Sequence, residues 1–256
     1  MSALAKEGFR AIAIDVPPFG YSEKPTGPAS YDRARQAKRI LGVLDTLQLQ
    51  RAYFVGHSVG SRPTLEAALI APDRVRGLVL VDPALGVERG GSSTFPPNKP
   101  SWILRTVFGI LPLRNVVLAV FGTNPMMTKR LFSSFVSRTE AVTETRVRML
   151  QQPLEVKGMT SAQGDWLHNL MISSGNSLGT RPDEFSRLRM PIHLIWGRTD
   201  TVTPLWHGEL LQKLLPGATL TVIDGVGHIP YIEDPDGFHR DLLAFLTSSK
   251  KPLGKL

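Results

Sequence analysis

Short apolar runs recur along this chain, and helical patterns separate them. "AYFV" (52–55) is followed by "SRPTLEAALIAP", where Leu65, Ala68 and Leu69 stand at helical spacing. "VRGLVLVDPA" comes next, and past residue 189 the order is "MPIHLIWG", "PLWHGELLQKLL", "ATLTVID" and "DPDGFHRDLLAFLTS". A strand that is apolar without alternation is buried on both faces, as in a parallel sheet covered by helices on each side. The expected fold class is therefore α/β, a doubly wound, mostly parallel sheet. Phe9–Ile14 reads as a further strand, ended by Asp15 and the turn "VPPFGYSEKPTGP". Ser30 reads as the N-cap of a helix through "YDRARQAKRILGVLDTLQL", with Ile40, Leu41, Leu44 and Leu47 facing inward.

The alternation stops between about Gly86 and Arg189. Prolines cluster in "STFPPNKP", and helical stretches follow: "SWILRTVFGI", "NVVLAVFG", "PMMTKRLFSSFV", "VTETRVRMLQQPL" and "SAQGDWLHNLMISS". This reads as an inserted helical cap, giving residues 1–85 and 190–249 as the core, 86–189 as the cap and 250–256 as a flexible basic tail. Met127, Phe135 and Trp166 in the cap are candidates for a substrate pocket, with plain core packing as the alternative.

Composition excludes several classes. The 256 residues include no cysteine, so thiol nucleophiles, disulfides and cysteine metal sites are ruled out. No His/Asp/Glu spacing suggests a metal, and none of the motifs calls for a cofactor. The net charge is +8, but the basic residues of "DRARQAKR" and "SSKKPLGKL" lack the interleaved aromatics or module of a nucleic-acid binder. The N-terminus lacks the apolar run of a signal peptide, pointing to a cytoplasmic protein. "SWILRTVFGILPLRNVVLAVFG" is interrupted by Arg105, Pro112 and Arg114, which makes a poor spanning helix. Peripheral membrane contact and oligomerisation stay open.

Gly56-His57-Ser58-Val59-Gly60 lies between the first of these apolar runs and a helix. The pattern G-x-S-x-G arises by chance in roughly one chain in ten of this length, so its setting decides its meaning. A serine on a tight strand-to-helix turn is lifted clear of the backbone, at a helix end that favours developing negative charge. A serine hydroxyl also needs a base to take its proton and a carboxylate to orient that base. Asp200 in "IWGRTDTVTP" and His228 in "VIDGVGHIPYIEDP" both follow strands, and active-site groups gather at the carboxyl ends of parallel strands. His57 would point away from the serine, as a packing or locally hydrogen-bonded residue.

"DVPPFGYSEKP", "GHSVGS", "VLVDPA", "WGRTD" and "GVGHIPYIEDP" together resemble the landmarks of the capped α/β-hydrolase superfamily, and they span nearly the whole chain. The resemblance implies Ser58 as nucleophile, His228 as base, Asp200 as acid and the Val59 N–H as an oxyanion donor. Asp82, also after a strand, is the alternative acid. The family pattern also places three strands before the segment that opens this chain, the third ending in a His-Gly loop with a second oxyanion donor. Those strands and that loop have no counterpart here, which leads to the expectation of a sheet with unpaired interior edges and weak turnover. The resulting reading is a serine hydrolase acting through an acyl-enzyme on esters or related acyl bonds of small apolar substrates. Hydrolysis of carbon–carbon bonds in ring-fission products by the same triad is one alternative, and a catalytically impaired homologue is another.

Overall fold

The computed structural model describes residues 1–86, 102–122, 124–172 and 177–249. The proline-rich stretch "STFPPNKP" and the tail 250–256 lie outside them. Among the described residues, four strands, β1 (Ala52–His57), β2 (Val75–Val81), β3 (Ile192–Gly197) and β4 (Thr219–Ile223), form one sheet in the order β1-β2-β3-β4. Every pairing is parallel, with His57 opposite Val81, Leu80 opposite Leu194 and Gly197 opposite Ile223. The helices are α1 (Ser2–Lys6), α2 (Arg33–Thr46), α3 (Ser61–Ile70), α4 (Trp102–Gly109), α5 (Leu111–Phe121) and α6 (Pro125–Phe135). They continue as α7 (Glu144–Gln151), α8 (Met159–Met171), α9 (Trp206–Leu214), α10 (Pro230–Glu233) and α11 (Pro235–Ser248).

The two faces of the sheet carry separate cores. Leu78, Leu80, Leu194 and Trp196 pack against Ile40 and Leu44 of α2, Leu65 and Leu69 of α3, and Leu211 of α9. The alternate residues Val79, Val81 and Ile195 pack against Phe238, Leu242 and Leu246 of α11, with Leu4 of α1 at the margin. Side chains two apart share a face of a strand, so an unbroken apolar run fills both cores, as the doubly wound reading requires.

Two local expectations fail. Phe9–Ile14 enters no ladder among the described residues, and β1 is the last strand on that side. Extended backbone becomes a strand only within a ladder, and among the described residues no ladder forms beside this segment; the Phe9 N–H donates instead to Leu4 O at 3.0 Å. Its apolar residues still pack: Phe9 meets Tyr53 edge-on at 6.5 Å. The N-cap of α2 is Asp32, not Ser30, because the Asp32 carboxylate accepts from the Arg35 N–H at 2.8 Å. Ser30 instead lies in a 3₁₀ turn over Pro28–Tyr31 and donates to Thr26 O.

Helices α4–α8 all fall between β2 and β3. A buried ion pair ties them to the rest of the chain. Arg114 Nη1 of α5 meets Asp165 Oδ1 of α8 at 2.7 Å, and Asp165 Oδ2 accepts from the Gly27 N–H at 2.7 Å. Phe132 and Val136 at the end of α6 pack with Val147 of α7 and with Ile229, next to His228. The helical insertion thus touches the loop that carries the candidate base.

Candidate active site

Ser58 stands at φ +49°, a left-handed conformation that a non-glycine residue holds only when its surroundings enforce it. One enforcing contact is a hydrogen bond from the Ala84 N–H to Ser58 O at 3.0 Å. The two glycines of the motif differ in role. A Cβ on Gly56 would lie 2.8 Å from Ser61 Cα, so β1 and α3 approach closely only over glycine. Gly60 has open space around it and an ordinary helical φ of −64°. The strain therefore sits on the serine, which is presented just ahead of the α3 N-terminus, where helix partial charge favours an anion.

His228 follows β4 in a loop that crosses the end of β3 closely: a Cβ on Gly197 would fall 1.9 Å from Gly227 O. His228 Nδ1 donates to Asp200 Oδ2 at 2.7 Å, which leaves Nε2 as the acceptor for the Ser58 hydroxyl, also at 2.7 Å. Asp200 accepts further from Thr203 Oγ1 at 2.6 Å and from the N–H groups of Val202 and Thr203 at 2.7 and 3.0 Å. Burial alone would push the Asp200 carboxyl upward. The hydrogen bonds from His228 and Thr203 outweigh it and hold the group below its ordinary value.

Asp82 is buried beside this pair, at φ +40°. Its Oδ1 accepts from the Gly197 N–H at 2.9 Å, yet burial, reinforced by the neighbouring Asp200 and Glu233 carboxylates, pushes it up to about 10. Asp82 is therefore neutral where Asp200 is an anion, and Asp200 is the one bonded to His228. Asp82, Asp200 and His228 bring ligand atoms within 4.8 Å of one another, the one such grouping found among the described residues. As a metal donor set it is poor, because Nδ1 and Oδ2 are already engaged with each other.

His57 makes local hydrogen bonds, as its place in the motif implies, while Glu233 and the backbone partners below carried no signal in the sequence. His57 Nε2 donates to the backbone carbonyl of His228 at 2.7 Å, and its Nδ1 accepts from the Tyr231 hydroxyl at 3.2 Å. Burial lowers His57 to about 4, so the ring is neutral and its tautomer is set by these two partners. Buried Glu233 accepts from the N–H groups of Ser137 (2.6 Å), Arg138 (2.9 Å) and Gly227 (2.9 Å). The His228 N–H itself donates to Phe135 O at 2.8 Å. Backbone groups with fixed partners are recognised by position in the fold, which no spacing in the chain reveals.

A cavity of about 800 Å³ is lined by His57, Val59 and Gly60, the neighbours of Ser58 in the elbow, and by Phe19 and Trp166. Trp166 lines this cavity. Met127 and Phe135 do not line this cavity. Phe135 lies edge-on to the His228 ring at 5.6 Å, and α6 turns Thr128 and Phe132 inward, leaving Met127 to one side. Val59, next to Ser58 in the chain, lines the cavity.

The chain belongs to the α/β-hydrolase fold family, whose sequence pattern it matches over residues 1–235. It is 32% identical to a 2-hydroxy-6-oxononadienedioate/2-hydroxy-6-oxononatrienedioate hydrolase of Burkholderia vietnamiensis, over 96% of this chain and 79% of that one. It is 29% identical to a 2-hydroxymuconate semialdehyde hydrolase of Pseudomonas putida, over 94% of this chain and 78% of that one. In structure it resembles a bromoperoxidase from Bacillus anthracis, with a TM-score of 0.75 at 18% identity, covering 96% of this chain and 84% of that one. The last likeness concerns the fold alone. No helix among the described residues is long and apolar enough to cross a membrane.

Proposed function

We propose that the protein hydrolyses a carbon–carbon bond next to a ketone in a ring-fission product, with Ser58 as nucleophile, His228 as base and Asp200 as the acid that orients it. The observation that carries the chemistry is the unbroken hydrogen-bond chain from Ser58 Oγ through the His228 ring to Asp200, with a cavity of about 800 Å³ lined by the neighbouring His57, Val59 and Gly60. The choice of bond follows the curated relatives, whose names denote hydrolases of such products. Ester hydrolysis by the same groups, the reading favoured by sequence alone, becomes the second reading.

The steps balance with water as the only co-substrate. Ser58 Oγ attacks the ketone carbon while its proton passes to His228 Nε2. The Val59 N–H faces the developing oxyanion. As the tetrahedral carbon collapses, the carbon–carbon bond breaks and its electron pair leaves on the conjugated fragment, which takes the proton from His228. Water then gives a proton to His228 and attacks the acyl-serine, and the proton returns to Ser58 Oγ. The products are a carboxylic acid and the protonated fragment. Helices α4–α8 serve as the cap that closes over the substrate.

Loss of absorbance of a 2-hydroxy-6-oxo-dienoic acid on mixing with the protein tests this reading. Turnover that vanishes in Ser58→Ala, together with fluorophosphonate labelling confined to Ser58, is the expected result. A much higher kcat/KM on 4-nitrophenyl esters than on the dienoic acid would restore the esterase reading. Labelling that survives Ser58→Ala would end both.

A further inference from the structure

We propose that the outward face of helices α4 and α5 docks on an anionic lipid surface, so that the helical insertion holds the protein at a membrane. This surface is independent of the bond that Ser58 cleaves.

Helix α5 reverses the usual amphipathic arrangement. A helix on a globular protein turns its apolar stripe to the core and its polar residues to water. In α5 the one charged side chain, Arg114, is buried against Asp165 and accepted by Ser161 O, both on α8. Asn115 Oδ1 accepts from Arg114 Nε at 3.3 Å, so the second polar side chain is engaged with the first. Leu118, one turn beyond Arg114, is buried on the same side. The opposite side carries Leu113, Val116 and Val120, three and four positions apart, all exposed and Val116 to 61%. Exposed Ile110 and Phe121 stand at the two ends of α5. Helix α4 packs against α5 and opens with Trp102, 75% exposed. Single exposed apolar side chains are ordinary, whereas a contiguous stripe of them marks a surface that meets a partner.

The charge around this stripe selects the partner. Between Glu88 and Glu140 every charged residue is a lysine or an arginine. On α6, exposed Arg130 shares the outward side with exposed Met126, opposite buried Thr128 and Phe132. A two-fold contact with a second copy would set this basic surface against itself, where like charges repel. Anionic headgroups instead neutralise the cations while the acyl boundary receives the apolar stripe. Helices α4 and α5 have 8 and 11 residues, well short of the about 20 that a spanning helix needs, so they lie along the interface. A tryptophan such as Trp102 settles at headgroup depth, with its ring in the apolar boundary and its N–H toward water.

The test is co-sedimentation of the full chain with vesicles of phosphatidylcholine, alone or with roughly one third phosphatidylserine. Wild type is expected to bind the anionic vesicles about tenfold or more tightly than the neutral ones, and to lose that margin in high salt. The double variant Val116→Glu/Val120→Glu and the single variant Arg130→Glu are each expected to weaken binding to anionic vesicles about tenfold. Anionic vesicles with brominated acyl chains give a second reading that adds no charge to α5. They should quench tryptophan fluorescence in wild type and much less in Trp102→Phe. Wild type that stays in the supernatant, that binds both vesicle types equally, or that is quenched no more than Trp102→Phe overturns the proposal. Self-association that the double variant abolishes, without vesicle binding, overturns it too and gives the face to a second copy.

Discussion

At the scale of single residues, the two buried aspartates beside His228 divide the work through their surroundings. Asp200 collects hydrogen bonds that favour the anion, whereas Asp82 is held neutral by burial and by the neighbouring carboxylates. Asp200→Asn is therefore expected to reduce kcat by several orders of magnitude, by removing the anion that holds the His228 tautomer. Asp82→Asn, which keeps an acceptor for the Gly197 N–H, is expected to cost far less. Steady-state kinetics of the two variants checks this, and a larger loss at Asp82 would reverse the assignment. The same groups shape stability against pH. Asp82 rises from 3.8 unfolded to about 10 folded, so the native state holds an extra proton between those values and loses stability as pH climbs through them. His57 falls from 6.5 to about 4, so the unfolded state holds the extra proton there and stability drops as pH falls from 6.5 toward 4. The two slopes oppose each other below about 6.5, and of these two groups only Asp82 acts above it. Asp82→Asn should flatten the fall in Tm between pH 6.5 and 9, as read by thermal melts in matched buffers. A wild-type Tm that rises over that range would contradict the neutral state of Asp82.

Elements are joined here by polar groups reaching across long sequence separations. Arg114, Asp165 and the Gly27 N–H link α5, α8 and the segment before α2, with the Arg114 side chain only 1% exposed. Room for Arg114 comes from Gly164, where a Cβ would lie 2.3 Å from Arg114 Nε. Asp165→Ala leaves that guanidinium buried without its carboxylate and is expected to cost about 3–5 kcal/mol, measured by denaturant unfolding. A loss under 1 kcal/mol would mean that water reaches the pair. None of this was legible in the sequence, since an arginine and an aspartate 51 positions apart carry no shared pattern. The strands β1–β4, the helices and the Ser58–Asp200–His228 grouping were legible, because periodicity and short motifs are local properties. Phe9–Ile14 misled for the complementary reason: its composition suits a strand, but strand formation is decided by a neighbour. Arg33 and Arg62 read as part of a basic helix face and an elbow helix, and only the fold brings them to one cavity.

Across the whole molecule, the sheet of described residues is paired on both sides only at its centre. β2 and β3 are paired on both edges and buried, whereas β1 and β4 each have one unpaired edge and Phe9–Ile14 lies beyond any ladder among the described residues. Ile12, Ile14 and Val55 are 42%, 44% and 47% exposed, an unusual state for β-branched residues in or beside a sheet. Backbone amides without a partner exchange with solvent at nearly unprotected rates, while amides of central strands open only with global unfolding. Hydrogen exchange should therefore grade across the fold: slowest in β2 and β3, intermediate in β1, and fast over residues 10–14. An exposed edge with apolar neighbours is also a template for another strand. If 10–14 and β1 gain protection as protein concentration rises, two copies are pairing along that edge, and Val55→Lys should abolish the gain by placing a charge beside it. Strong protection of residues 10–14 at low concentration, unchanged by Val55→Lys, would show that the segment has a partner within its own chain and that this side of the sheet is closed in solution.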